Sequence, residues 1–225
     1  MSTDEQAPAA IATTTRRSCC PIFWRGLLGL LAVSAAICTA AWFGRDWGLR
    51  SAADLWIVSD PVGPADVAVI FGGGVGDRPF AAAEFYQKGL VRKILVSNAQ
   101  EGRVQKMGLV ASEAVVSRQV LLKLGIPDSA IEIFGDDLSN THQEVLALRA
   151  WAERSGIHSV IVPTEIFPSR RLRWMLDQAF GAGYVVRVPA IEPAEYGANN
   201  WWRHHAGLID FQNEILKYIY YRLSY

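Results

Sequence analysis

Residues 65–78 read Ala65-Asp66-Val67-Ala68-Val69-Ile70-Phe71-Gly72-Gly73-Gly74-Val75-Gly76-Asp77-Arg78, and their order decides the fold. Val67–Phe71 is short, apolar and rich in β-branched residues, the pattern of a parallel strand buried on both faces. Gly72, Gly73, Gly74 and Gly76 follow at once, so the backbone can turn tightly and present bare N–H groups to a ligand. A helix is predicted from Asp77 or Arg78. Strand, glycine loop and helix start, in this order, form the usual seat for a phosphate or another anion.

Outward from this stretch, strand and helix signals alternate. A helix over Arg78–Lys88 ends at Gly89, a C-cap glycine, and a second strand covers Lys93–Ser97. Asn98–Met107 is polar and reads as an exposed loop. Gly108–Leu124 is a long helix stopped by Gly125-Ile126-Pro127; Ile131–Phe134 is strand three. A helix over Thr141–Ser155 is closed by Gly156, and Ser159–Val162 is strand four. Ser169–Phe180 is helical, Tyr184–Val188 is strand five, and a last helix spans about Gly207–Leu223. That helix carries an apolar stripe at Leu208, Ile215, Leu216, Ile219 and Leu223, and its tyrosine-rich end is expected either to pack on the sheet or to lie against a bilayer. The alternation predicts an α/β fold, a Rossmann-like three-layer α/β/α domain over 65–225 with a mainly parallel sheet of about five strands.

Upstream the character changes. Gly26–Gly44 contains no charged residue over nineteen positions, and Trp24 and Trp42 stand at its ends, where interfacial aromatics are favoured. One transmembrane helix over 24–44 is therefore predicted to precede the domain. A cleaved signal peptide is the competing reading, with small residues at Thr39-Ala40-Ala41; against it, the apolar run is long and continues through Trp42-Phe43. Arg16, Arg17 and Arg25 precede the run, while Arg45 and Arg50 follow it diluted by Asp46 and Asp54. This bias predicts a single-pass protein with its N-terminus in the cytoplasm and the domain outside. Residues 1–23 are expected to form a disordered cytoplasmic tail and residues 45–64 a connector with a short helix near Ser51–Ile57.

Composition sets further bounds. The 225 residues carry 22 basic and 22 acidic side chains, and no basic face suggests nucleic acid. All three cysteines, Cys19, Cys20 and Cys38, lie in or before the apolar run, so the domain can hold neither a disulfide framework nor a cysteine metal site. His204 and His205 beside Trp201-Trp202 have no carboxylate at helical spacing, and no metal and no cofactor is predicted.

In open parallel sheets, ligands bind beyond the carboxyl ends of the strands. The candidate ligand-binding residues are therefore Gly72, Gly73, Gly74, Asp77 and Arg78 after strand one, Ser97 and Asn98 after strand two, Asn140 and Thr141 after strand three, and Thr164 and Arg171 after strand four. Glu113, Glu144 and Glu165 are the candidate catalytic carboxylates. Each has a plainer reading: the glycines as a tight turn, Thr141 with Glu144 as a capping box, Arg170 and Arg171 as surface charge. Dinucleotide binding is disfavoured, because Asp77 holds the third glycine position and no acidic residue ends strand two. No Gly-Lys-Ser/Thr follows the loop, which disfavours a P-loop.

Read in this order, the residues resemble the YdcF/SanA/ElyC-like bacterial family, a domain family of unknown function. The resemblance runs from about Asp66 to Pro189 and rests on Asp66–Gly74, on Arg78 with Ala82 and Gly89, and on Ile94–Ser97 and Glu113. It continues through Leu124–Pro127, Ser139–Thr141 and Thr164–Arg171. It implies an envelope-associated domain tethered to a bacterial inner membrane and facing the periplasm or extracytoplasmic space, linked to peptidoglycan assembly and the polyprenyl-phosphate carrier; one relative is reported to bind S-adenosylmethionine. Two departures stand out. Pro168 occupies the position of a family histidine, and Asn140-Thr141-His142-Gln143-Glu144 shifts a family carboxylate by one place.

The expected function is binding of a small anionic, phosphorylated or lipid-linked envelope precursor, with hydrolysis or transfer as the reaction class. Two alternatives stand beside it: a non-catalytic binding or scaffold protein working with cell-wall synthesis proteins, and a nucleotide- or S-adenosylmethionine-binding enzyme.

Overall fold

The computed structural model describes residues 21–225. The tail readings, including Arg16, Arg17, Cys19 and Cys20, lie outside the described residues. The chain divides into two compact units, one ending at Trp47 and the other running from Gly48 to Tyr225.

The first element is a helix, α1 (Pro21–Trp56). Over Trp24–Trp56 it is long and apolar enough to cross a membrane. It does not stop at Gly44: the predicted connector is helical up to Trp56, and only residues 57–66 join it to the first strand. Within the second unit, Ala53 is fully buried in a cluster with Ile166, Phe167, Tyr196 and Trp201. Trp56 donates its indole N–H to the Phe167 carbonyl at 2.9 Å and meets Phe211 and Tyr218 edge-on. Arg170 donates to the Trp56 carbonyl at 2.8 Å and to that of Leu55, placing a cation on the carbonyl end of α1. Arg170 is thus committed to the helix end.

The sheet comprises β1 (Val67–Ile70), β2 (Lys93–Ala99), β3 (Ile131–Leu138), β4 (Ser159–Ile161) and β6 (Val185–Arg187), in the order β3-β2-β1-β4-β6. Every pairing is parallel. Two short strands, β5 (Thr164–Glu165) and β7 (Ala190–Ile191), pair separately. The helices between are α2 (Arg78–Gln87), a one-turn α3 (Arg103–Lys106), α4 (Glu113–Lys123), α5 (Thr141–Ser155), α6 (Ser169–Ala179) and α7 (His205–Ser224). The α/β prediction holds, with five strands in the main sheet.

The side-chain alternation of β1 explains the three layers. Val67 and Val69 pack with Leu148 of α5 and Leu172 and Leu176 of α6. Ala68 and Ile70 face the other way, against Ala82 and Phe85 of α2 and Leu121 of α4. A strand buried on both faces must be apolar throughout, as Val67–Phe71 is.

Several boundaries moved: β2 runs on to Ala99, α3 forms within the predicted loop 98–107, and two further shifts have local reasons. Helix α4 starts at Glu113 rather than Gly108, because the Ser112 hydroxyl accepts the Val115 N–H and caps it. Strand β3 extends past Phe134 to Leu138, through a bulge near Gly135 and Asp137, both at positive φ. At the opposite sheet edge, Asp66 accepts from the Ser159 hydroxyl at 2.6 Å and its N–H at 2.9 Å, tying β1 to β4. That bond holds its carboxyl below the ordinary range.

Candidate functional site

The chain runs from β1 outward to β2 and β3, then returns to lay β4 on the other side of β1. The crevice at such a switch point, beyond the carboxyl end of β1, is where ligands bind in open parallel sheets. A cleft of about 670 Å³ lies there, walled by Phe71–Arg78, Glu113, Thr141, Thr164, Glu165, Pro168, Arg171 and Leu172. Pro193–Tyr196 and one side of α7, with Asp210, Asn213, Glu214 and Lys217, complete it.

The glycine loop is held from behind by carboxylates. The Gly72 N–H donates to Glu144 Oε1 at 2.7 Å, and the Gly73 N–H to Glu113 Oε2 at 2.6 Å. Gly73 sits at φ 86°, a conformation open to glycine and strained for other residues. A Cβ at Gly72 would lie 2.8 Å from Ala99 Cβ and 3.2 Å from Glu113 Oε2, so the close approach needs glycine. Among the described residues, none accepts from the N–H groups of Gly74, Val75 or Gly76.

Arg78 locks the far side of the loop. Its Nε lies 3.1 Å from both Glu165 oxygens and its Nη2 2.5 Å from Oε2, while Nη1 donates to the carbonyls of Phe71 (3.0 Å) and Gly72 (2.6 Å). Both side chains are nearly buried. Arg171 is held likewise: Nε and Nη2 donate to Glu214 at 2.7 and 3.1 Å, Nη1 donates to Thr141 Oγ1 at 3.1 Å, and Tyr221 stacks beneath the guanidinium. Both arginines line the cleft, but each charge is matched by a carboxylate in bidentate geometry.

The cap of α5 explains how Thr141 and Glu144 reach the site. The cap is Asn140, whose side chain accepts the Gln143 N–H at 3.1 Å, while Gln143 Oε1 accepts the Ser139 N–H at 2.8 Å. The capping pair therefore sits one residue earlier than the Thr141/Glu144 spacing suggests. This register frees Thr141 for Arg171 and Glu144 for Gly72. Asn140 itself serves the helix end and does not line the cleft.

Electrostatically the cleft is acidic. Asp77, Glu113, Glu165, Glu195, Asp210 and Glu214 line it against Arg78, Arg171 and Lys217. Burial pushes the Glu144 carboxyl up, against the lowering pull of the Gly72 N–H. Asp77 is also raised, first by burial and then by the negative charge of Glu165. Burial, followed by the bond to Asp210, raises the Tyr196 hydroxyl, which donates to Asp210 Oδ2 at 2.7 Å. A carboxyl raised in the fold binds protons more tightly there than in the unfolded chain, so its contribution to stability falls as pH rises through the folded value. Glu144→Gln is therefore expected to gain stability relative to the parent as pH rises from 4 to 8 (on the order of the ordinary carboxylate range upward). Urea midpoints of the two chains across that range check it; parallel curves would contradict it.

Of the sequence candidates, Gly72, Gly73, Gly74, Asp77, Arg78, Glu113, Thr141, Thr164, Glu165 and Arg171 line the cleft. Glu144 stands directly behind Gly72. Ser97 is buried in β2, and Asn98 lies on the same strand outside the cleft lining. The α7 wall and Pro193–Tyr196 were not among the candidates. The available signal was the polar row Asp210, Asn213, Glu214 and Lys217 at helical spacing in α7. His142 stacks on Tyr225 at 3.9 Å. Among the described residues, no group of three or more His, Cys, Asp or Glu is placed to hold a metal ion.

The site so defined is a switch-point cleft of a Rossmann-like domain, built on a glycine loop and charge-paired arginines. Comparisons with family models, curated proteins and solved structures return no match for the chain.

Proposed function

We propose that this chain is a membrane-anchored envelope protein of the YdcF/SanA/ElyC-like type. Its extracytoplasmic domain binds a phosphorylated or otherwise anionic metabolite of peptidoglycan or polyprenyl-phosphate carrier metabolism. The observation that carries this reading is the glycine loop, whose Gly74, Val75 and Gly76 N–H groups have no partner among the described residues at the switch-point cleft. With Arg78 and Arg171 already paired, the anionic group depends on these backbone donors rather than on free cationic charge. The surplus carboxylates, Asp77 and Glu195 among them, favour a ligand that also offers hydroxyl or amine donors, as a sugar phosphate does. Hydrolysis or transfer is the reaction class, with the cleft-lining Glu113 and Glu165 as the candidate catalytic carboxylates, while Glu144 stands behind Gly72 and positions the loop.

A second reading, a non-catalytic binding protein, gains from Pro168: it lines the cleft and has no ionisable group. Heating the purified chain with phosphorylated amino sugars, polyprenyl phosphate, nucleotides or S-adenosylmethionine tests both. Protection by the first two classes is expected. Protection by nucleotides or S-adenosylmethionine alone would contradict the reading, and product formation from the protecting ligand decides between enzyme and binder.

A further inference from the structure

Helix α7 is apolar on two opposite sides. Its inner side presents Phe211, Tyr218 and Tyr221 to the domain, where Trp56, Trp201 and Phe167 meet Phe211. Leu208, Ile209, Leu216, Ile219, Tyr220 and Leu223 cluster on an arc of roughly 120° on the other side, at 100° per residue. These residues are exposed, from 42% at Ile209 to 83% at Leu223. Gln212 and, in the first turn, His205 are the polar residues within the arc, and no Asp, Glu, Lys or Arg interrupts it. The exposed charges Asp210, Lys217 and Arg222 stand on the flanks. A helix that is apolar on both sides normally has both covered, and an uncharged exposed patch of this kind marks an interaction surface.

We propose that this outer stripe of α7 seats on the bilayer surface as a second membrane contact. The inference rests on the anchored reading of α1. Chain continuity identifies the occupant. The uncharged run ends at Gly44 and the compact domain begins at Gly48, so an apolar phase lies within a few residues of the domain at very high effective concentration. The residue types agree: leucine and isoleucine fill the stripe, and Tyr220 near its end suits the headgroup region. The contact would hold the cleft wall formed by α7 at the membrane, where a lipid-linked ligand arrives.

The test uses the full chain reconstituted into phosphatidylcholine/phosphatidylglycerol vesicles, with Cys19, Cys20 and Cys38 replaced by serine. An environment-sensitive fluorophore is placed at Leu216→Cys, Ile219→Cys or, as a control on exposed α4, Lys123→Cys. Far-ultraviolet dichroism and vesicle flotation are recorded for each labelled chain. Shallow spin-labelled lipid is expected to cause at least about a twofold loss of emission at 216 and 219 and little at 123. Equal loss at all three positions in a chain that floats overturns the inference while leaving the anchor intact. Failure to float overturns the anchor and the inference together. A blue-shifted label at 216 that is not quenched by lipid and relaxes on dilution of the protein in the bilayer assigns the stripe to a second copy of the chain, which also overturns it.

Discussion

Replacing Arg171 with alanine is expected to cost the domain about 3–5 kcal/mol, the usual penalty for leaving one partner of a buried ion pair alone. Glu214 is 3% exposed, and its partners are Arg171 and Lys217, the latter at 2.9 Å from an exposed stem. Without the guanidinium, the Thr141 hydroxyl and the face of Tyr221 lose their partner as well. Replacing both charges, as in Arg171→Met with Glu214→Leu, is expected to restore most of the loss, because the penalty belongs to the orphaned charge. Urea unfolding of the three chains measures this; a single replacement costing less than about 1 kcal/mol, as for an exposed pair, would contradict it. The pH dependence follows from the same bond. Burial alone would raise the Glu214 carboxyl, but the Arg171 bonds outweigh it and leave it lowered. A lowered carboxyl contributes stability above its unfolded value of about 4.3, and that contribution is lost as pH falls through the lower folded value. The acid limb of the stability curve should flatten in the double replacement.

Arg78→Ala is expected to be comparably damaging, at about 3 kcal/mol or more, and to act on the glycine loop itself. The guanidinium satisfies Glu165 and two loop carbonyls at once, so its removal orphans three acceptors in a nearly buried setting. Arg78→Lys should recover little, since an ammonium cannot reproduce the planar fork. Amide exchange at Gly72–Gly76 should accelerate in both variants. Unchanged exchange with a small stability loss would show that the loop holds its shape without Arg78.

The fold was legible where local chemistry and global position agree. Val67–Phe71 had to be buried on both faces, and the glycine breaks at 89, 125 and 156 lie at positive φ where helices end. What escaped came from distance or register. Arg78 and Arg171 read as free cations because their carboxylates lie 87 and 43 positions away in the chain. The plainer reading of Glu144 as a capping residue fails because Thr141 and Asn140 stand one position apart as caps, and only tertiary contacts select Asn140. The connector read as a break at Gly44 because apolarity ends there. The helix continues because Ala53 and Trp56 belong to the domain core. The stripe on α7 was visible as a pattern, but which side faces inward depends on where Trp56 and Trp201 dock.

Calorimetric titration of the purified full chain with N-acetylglucosamine 1-phosphate tests the proposed anion seat at the glycine loop most directly. Saturable binding is expected, and Gly73→Ala should abolish it, since a side chain at φ 86° distorts the seat. Glu113→Gln should bind about tenfold more tightly, because the carboxylate bonded to the Gly73 N–H repels an incoming phosphate, and tenfold corresponds to about 1.4 kcal/mol. Binding unaffected by Gly73→Ala, or weakened in Glu113→Gln, would contradict the account.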